Sequence, residues 1–246
     1  MNSIKKIIAI LAGATLLLYM PGCFVDDVGI GCIRPDGPVV SERISMAPFT
    51  GVDLRMAGKV YITQGSPQRV EVEAPRRLID EMEFNVRNGI WRIETNRCAR
   101  YNSRDLRIYI TMPDLTSLRI SGSGDIISEN VFVIDDLDLT ISGSGGMDLA
   151  LDAKDVGATI SGSGNIYLEG VADALDFVVS GSGDFRCFDL AANSARINIS
   201  GSGSAEVHVS EALNVRISGS GNVRYKGTPS IVNTQISGSG KVIKVN

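Results

Sequence analysis

The sequence predicts an all-β protein built as a single-chain β-helix, or β-solenoid, and two observations lead to this prediction. The tetrapeptide Ser-Gly-Ser-Gly occurs seven times, at intervals of 18 to 21 residues. Around each copy, apolar and polar residues alternate, which is the period of a β-strand with one buried face. A repeat this short cannot bury its own apolar face, so the repeats must stack into about seven coils of roughly 19 residues.

Each repeat is predicted to contain a strand, the Ser-Gly-Ser-Gly corner, a second strand and a return segment. The residue just before the motif is apolar and β-branched in every copy. These residues are Ile120, Ile141, Ile160, Val179, Ile199, Ile217 and Ile236. After the motif, a turn-forming residue precedes the next apolar position, where the second strand begins. The variation in repeat length falls in the return, for example at residues 152–155.

The alternation also predicts the geometry of the corner. Both motif glycines fall on the inward side, where a tight corner has no room for a Cβ atom, and glycine also permits positive φ. The serines then face outward in two parallel files, which form a candidate recognition edge. Its residues are Ser121, Ser123, Ser142, Ser144, Ser161, Ser163, Ser180 and Ser182. The alternative is a structural role, in which these hydroxyls bond only to one another and to the corner backbone.

The segment before the repeats is predicted to be all-β as well. Residues 43–115 alternate in several stretches, which indicates irregular β coils that cap the repeat domain of residues 116–246. Residues 76–82 suit one short helical turn. Asn88-Gly89 is a strong hairpin signal, and in that register Val86 faces Trp91. Trp91 is then a core residue, with a sugar-stacking platform as the alternative.

The N-terminus is typical of an exported protein. Residues 1–22 read as a signal peptide of the lipoprotein type, because an apolar run shorter than the roughly 20 residues of a membrane span follows two lysines. Gly22-Cys23 resembles a lipobox, so Cys23 is the candidate lipidation site and the membrane would be contacted through this lipid. Ordinary secretion and an uncleaved anchor are the alternatives. Residues 23–42, which have no regular period, are predicted to be a tether.

The amino-acid composition limits the kinds of partner and site that we expect in this protein. The chain has 24 Lys and Arg against 28 Asp and Glu, and a single His. This balance argues against nucleic acid as a partner and against His-based metal or catalytic sites, so we expect no catalytic residue, metal or cofactor. Calcium in the corners is not expected, because an acid follows the motif only at Asp125 and Asp184. Cys32 and Cys98 are free to pair in an exported protein, while Cys187 falls on an inward position and is expected to be inert.

Several stretches resemble a known family, the head GIN domain auto-transporter adhesins of Bacteroidetes. The resemblance rests on Phe-Thr-Gly-Val-Asp-Leu at residues 49–54, Val-Tyr-Ile-Thr-Gln-Gly at 60–65, Val-Glu-Val-Glu-Ala at 70–74 and the Ile-Ser-Gly-Ser-Gly repeats. It extends from about Arg43 to the C-terminus. It implies a β-helical domain on an exported, often lipid-anchored protein, with adhesion as the expected role and no established catalytic residues.

Two functions therefore remain open. The first is a non-enzymatic cell-envelope protein, an outer-membrane lipoprotein on the periplasmic or exposed side, which binds protein, matrix or glycan through its solenoid faces. The second is a carbohydrate-active β-helix that binds or cleaves polysaccharide, which rests on analogy of fold. A homo-oligomer could also form through the open last coil, although Lys241 and Lys244 argue for edge protection there.

Overall fold

The structure is a computed structural model that describes residues 32–245. This part of the chain folds into one 17-stranded sheet with a single helical turn and one short 3-10 helix. The elements are β1 (Val39–Ile44), β2 (Gly51–Leu54), β3 (Lys59–Gln64), β4 (Arg69–Pro75), α1 (Arg76–Ile79), β5 (Val86–Arg87), β6 (Ile90–Ile93), a 3-10 turn (Ser103–Asp105), β7 (Arg107–Met112), β8 (Ser117–Ile120), β9 (Asp125–Ser128), β10 (Phe132–Ile141), β11 (Gly146–Ile160), β12 (Asn165–Val179), β13 (Phe185–Ile199), β14 (Ala205–Ile217), β15 (Val223–Lys226), β16 (Ile231–Ile236) and β17 (Val242–Lys244).

The repeats stack in parallel and in register, which confirms the β-solenoid. Ile141 of β10 pairs with Ile160 of β11, which in turn pairs with Val179 of β12. Each residue therefore lies beside its equivalent in the next coil, and these ladders fill the interior. The residue before the motif is at most 2% exposed in the first six copies. Ile236, in the last coil, is 43% exposed because no described coil covers it.

The motif glycines are required by the spacing between coils. A Cβ atom on Gly145 would lie 1.8 Å from the carbonyl oxygen of Gly124, and one on Gly143 would lie 1.9 Å from that of Gly122. The obstacle is thus the backbone of the neighbouring coil rather than the inside of the corner. The positive-φ glycines of the described chain, Gly37, Gly89, Gly170 and Gly227, all lie outside the motif. The conformational freedom of glycine is therefore not used at the corners.

The N-terminal coils stack out of sequence order. Val52 of β2 pairs with Trp91 of β6 on one side and with Leu118 of β8 on the other. Likewise, β3 lies between β7 and β9. β6 and β7 form a coil that comes later in the chain than the coil of β2 and β3. In the stack, however, the coil of β2 and β3 lies between it and the repeats. The hairpin at Asn88-Gly89 pairs Val86 with Trp91, as predicted.

Antiparallel strands end the stack on this side. β4 pairs antiparallel with β7, and β1 pairs antiparallel with β4. β1 occupies residues that the sequence analysis placed in a tether ending at residue 42, so the ordered β structure starts earlier than expected. The physical reason is that β1 covers the edge that β4 would otherwise leave unpaired. The signal peptide, Cys23 and the first part of the tether lie outside the described residues.

The C-terminal side of the stack ends differently. All six residues of β16 are exposed, and this strand pairs with β14 on one side. β17 pairs in the same way with β15. Between residues 32 and 245 there is no helix with the length and apolar character needed to cross a membrane.

Candidate functional site

The Ser edge, the serines of the seven motifs, is held by its backbone. Its serine side chains are exposed, whereas their amides bond to the preceding coil, for example from Ser142 to the Ile120 carbonyl at 2.9 Å. Ser121 Oγ donates to Asp53 Oδ1 at 3.2 Å, and Ser200 Oγ donates to the Val179 carbonyl at 3.4 Å. No bond joins two motif hydroxyls. The hydroxyl ladder considered as the structural role is thus absent, and most of these hydroxyls remain available.

A second ladder follows the motif, at a position that sequence reasoning treated only as a turn. In five coils the side-chain oxygen of this residue accepts a hydrogen bond from the backbone N–H of its equivalent in the next coil. The distances lie between 2.8 and 3.2 Å, and the acceptors are Asp125, Asn165, Asp184, Ser204 and Asn222. The two aspartates therefore satisfy backbone groups. The recurrence of short, oxygen-bearing side chains at this position was the signal that could have revealed it.

The return segments form an acidic groove of about 930 Å³. Its lining carboxylates are Asp114, Asp135, Asp136, Asp152 and Asp173. Lys154 Nζ lies 2.6 Å from Asp135, and this contact raises the pKa of Lys154. Val133 and Val171, 62% and 48% exposed, flank the acids. Within residues 32–245 no group of three or more His, Cys, Asp or Glu side chains is arranged to hold a metal ion.

A different polar surface covers the outer side of the strands that precede the motif in the last coils. We call it the amide–arginine face, and its members are Arg196, Asn198, Asn214, Arg216, Asn233 and Gln235. They line a shallow groove of about 640 Å³. The register aligns Asn198, Arg216 and Gln235 in one column and Arg196, Asn214 and Asn233 in another.

This face adjoins the Ser edge. A neighbouring groove of about 330 Å³ is lined by Asn198, Arg216 and Gln235 together with Ser200, Ser218 and Ser237. One depression along the Ser edge therefore lies at the C-terminal copies, and Ser123 of the first motif lines a separate groove of about 1000 Å³. The candidate serines named from the sequence, from Ser121 to Ser182, belong to the earlier copies and do not line the C-terminal depression.

Trp91 does not form an open sugar-stacking platform, and several outer rings of the described chain pack against other side chains. Trp91 is fully buried, and its Nε1 donates to the Glu83 carbonyl at 2.9 Å, so it is a core residue. On the outer face of the second strands, Tyr61 stacks on Tyr109 with ring centroids 5.2 Å apart. The guanidinium of Arg186 lies 5.3 Å from the ring centroid of Tyr167. These rings contact other side chains of the protein.

The three cysteines that the structure describes have structural roles. Cys32 and Cys98, which the sequence left free to pair, form a disulfide with their Cα atoms 4.4 Å apart. Cys187 is a buried free thiol whose burial raises its pKa. Because a thiol that stays protonated is a poor nucleophile, Cys187 is suited to packing rather than to reactivity.

Comparison with known proteins agrees with this architecture. The model of the family described as "Putative auto-transporter adhesin, head GIN domain" matches residues 48–229. The chain belongs to this family. A search of curated proteins finds no match to this head GIN domain protein.

Solved structures share the fold. A putative adhesin from Bacteroides fragilis is 24% identical, with a TM-score of 0.82 over 87% of this chain and 100% of that one. A putative adhesin from Parabacteroides distasonis is 25% identical, with a TM-score of 0.72 over 87% of this chain and 99% of that one. A structure called a putative lipid binding protein, from the same species, is 23% identical, with a TM-score of 0.71 and the same coverage.

Proposed function

We propose that this head GIN domain protein is a non-enzymatic cell-envelope adhesin or binding scaffold, which contacts glycan, matrix or protein through the exposed faces of its solenoid. The observation that carries the proposal is that the fold bonds only two of the motif hydroxyls, those of Ser121 and Ser200, to other described groups. Backbone bonds such as Ser144 N to the Gly122 carbonyl, 3.1 Å long, hold the corners. The hydroxyls beside them, and polar groups such as Arg216, stay available to a ligand. The family description supports adhesion as the role.

The proposed location is the outer membrane, with the lipid on Cys23 as the anchor. The support is the sequence pattern at residues 1–23. Residues 24–31 would then separate the lipid from the disulfide-bonded Cys32. Fractionation of cells that express the wild-type chain or the Cys23→Ser variant tests this. Membrane-bound wild-type protein with a lipid on an N-terminal Cys23, seen by mass spectrometry, and an unlipidated variant are expected, whereas wild-type protein without this lipid would overturn the anchor.

One experiment tests both binding and the absence of catalysis. The full chain, purified in detergent, is applied to an array of glycans and envelope components, and the same glycans are incubated with it in solution and then sized. We expect retention on the array and unchanged glycan lengths. Failure to bind any component would overturn the adhesin proposal, and shortened glycans would show a polysaccharide-cleaving enzyme instead.

A polysaccharide-binding role is the second candidate, and one observation favours it. The amide–arginine face presents uncharged amides around a guanidinium, and such groups pair with the hydroxyls and carboxylates of sugars. This role is compatible with an adhesin, because adhesion to a glycan is a form of polysaccharide binding. The array distinguishes polysaccharide binding from adhesion to protein, because it shows whether a glycan or a protein component retains the chain.

A further inference from the structure

Arg216 is the least neutralised cation of the amide–arginine face. Among the described residues, no carboxylate forms an ion pair with it, whereas Arg196 donates to Asp176 at 3.2 Å. In its column, Arg216 lies between Asn198 of the preceding coil and Gln235 of the following one. A guanidinium presents a planar fork of donors that matches a carboxylate in a bidentate pair. Arg216 is therefore equipped to hold one carboxylate of a ligand.

The amides around Arg216 supply a different chemistry. Neighbouring strands are about 4.8 Å apart, so Asn198 and Gln235 lie within reach of a ligand bound to the guanidinium. Neither side chain bonds to another described residue, and Asn233 donates to Asn214 at 3.0 Å. Each primary amide carries two donors and one acceptor, a combination that suits hydroxyl groups, which donate and accept. Ser218 and Ser237 add hydroxyls at the rim.

The charges of the amide–arginine face limit the class of ligand that it can bind. No carboxylate lines either groove of this face. With Arg196 paired, the face offers one uncompensated cation on a protein whose net charge is −4. A nucleic acid or another dense polyanion needs many cations to hold it. A ligand with isolated carboxylates among many hydroxyls fits better, and glycans in which an acidic sugar is flanked by neutral ones have this composition.

We propose that the amide–arginine face binds an acidic glycan. Arg216 holds the carboxylate of a uronic acid, and Asn198, Asn214, Asn233 and Gln235 hold hydroxyls of that sugar and its neighbours. This inference rests on the proposed binding function, for which it names a site and a ligand class. The site is assembled from three coils, so it exists only in the stacked protein.

The test measures binding of the full chain in detergent to immobilised oligosaccharides on a biosensor. The probes are a hyaluronate octasaccharide and a glucuronoxylan oligosaccharide, in both of which acidic and neutral sugars alternate or adjoin. Each is paired with its carboxyl-reduced form, which keeps the backbone and removes the charge. We expect binding to at least one acidic probe, at least about tenfold weaker binding to its reduced form, and weaker binding at high salt. Absence of binding to both acidic probes would overturn the proposal.

Variants locate the site. Arg216→Gln is expected to weaken binding about tenfold, because it removes a charge-assisted bidentate pair. Arg216→Lys keeps the positive charge but lacks the planar fork of donors. Its affinity for the acidic probe should therefore lie between those of Arg216→Gln and the wild type. Arg119→Gln is the matched control, since Arg119 is an exposed arginine in the same column, beside Asp53 and Thr140 in the first repeat. It should change binding less than twofold. Equal losses in Arg216→Gln and Arg119→Gln would show a nonspecific charge effect and overturn the site.

The outcomes separate this inference from the proposed function. If the acidic probes fail while the wider array retains another component, the adhesin proposal stands and the acidic-glycan site is wrong. If neither the probes nor any array component is retained, both are wrong. Unchanged thermal unfolding of each variant, compared with the wild type, shows that a loss of binding is not a loss of fold.

Discussion

The hydroxyl of Ser121 donates to Asp53 Oδ1 over 3.2 Å, which connects the first motif corner to the coil of β2. Asp53 is only 2% exposed, and its Oδ2 accepts from Arg55 Nε at 2.9 Å. This hydrogen bond raises the pKa of Arg55. A buried carboxylate with two donors fixes how the out-of-order N-terminal coils join the repeats.

Removing this carboxylate is expected to destabilise the junction. Asp53→Ala removes two hydrogen bonds to a buried charged acceptor, those from Ser121 and Arg55, at a cost of about 1–3 kcal/mol in the free energy of unfolding. Urea unfolding measures this change. Asp152→Ala, which removes an exposed carboxylate without a hydrogen bond or ion pair to another described side chain, serves as the control and should change the free energy by less than about 0.5 kcal/mol. Equal effects of the two substitutions would contradict the role given to Asp53.

The motif glycines should be intolerant of a single methyl group. In Gly183→Ala the new Cβ would lie 1.8 Å from the Gly164 carbonyl oxygen, so two coils must separate. We expect a loss of about 3 kcal/mol or more in unfolding free energy, or failure to accumulate folded protein.

Gly157→Ala is the matched control for that substitution. Its Cβ would meet the flexible Asp138 carboxylate at 3.1 Å, and this exposed side chain can move away. Its unfolding free energy should stay within about 1 kcal/mol of the wild type. A Gly183→Ala protein as stable as this control would refute the close approach of the coils.

The ladder of side-chain oxygens that follows the motif leads to a prediction of a smaller, local effect. Asp184→Ala removes the acceptor of the Ser204 amide, which is 2.8 Å from Asp184 Oδ1, and should lower the unfolding free energy by about 1 kcal/mol. Hydrogen exchange should also speed up at the Ser204 amide. Ser202→Ala removes an exposed motif hydroxyl and should leave both quantities unchanged. Unaltered exchange in Asp184→Ala would argue against the ladder.

How far the sequence predicts the structure can be seen in these residues. The position of Ile160 in an inward ladder follows from the alternation alone, because stacking forces each repeat to bury the same face. The partners of β2 do not follow, because nothing in the spacing indicates that Trp91, later in the chain, stacks on the side away from the repeats. The role of β1 was missed for a similar reason, since its pairing with β4 is antiparallel and non-repetitive.

The Ser edge and the amide–arginine face were both predictable from the sequence. The outward direction of the Ser edge follows from the period of two. Asn198, Arg216 and Gln235 each stand two residues before the first serine of a motif, so their grouping also follows from the alignment of the repeats. Aligning outward as well as inward positions would have revealed it.

The raised pKa of Tyr101 predicts that the free energy of unfolding falls at alkaline pH. Burial raises this pKa to about 12, and the hydroxyl donates to the Ala57 carbonyl at 2.8 Å. The folded state therefore keeps a proton that the unfolded state loses above its ordinary pKa near 10. The contribution of Tyr101 is complete below about pH 10 and declines as the pH rises toward about 12.

Urea unfolding between pH 8 and 12 tests this prediction. Tyr101→Phe has no proton to retain, so its stability should fall less steeply over the same range. An absorbance titration should also show one tyrosine fewer with a high pKa. Identical pH profiles for the two proteins would contradict the assignment.

The disulfide closes a long loop and should stabilise the cap. Cys32 and Cys98 are 66 residues apart in sequence, so the double substitution Cys32→Ser and Cys98→Ser is expected to lower the unfolding free energy by about 2–4 kcal/mol. A reductant should have the same effect on the wild-type protein and none on the double variant. A wild-type protein insensitive to reduction would contradict this contribution.

The central claim is that binding takes place on the exposed faces of the solenoid, and one array experiment tests it most directly. The wild-type chain is compared with three sets of substitutions, one for each face. They are Ser123→Lys with Ser144→Lys, Ser163→Lys and Ser182→Lys for the Ser edge, Asp152→Asn with Asp173→Asn for the acidic groove, and Arg216→Gln for the amide–arginine face. We predict that the wild type is retained by a glycan or envelope component, and that the Arg216 variant loses this binding while it keeps its fold. Retention of all three variants at the wild-type level, or no retention of the wild type, would contradict the claim.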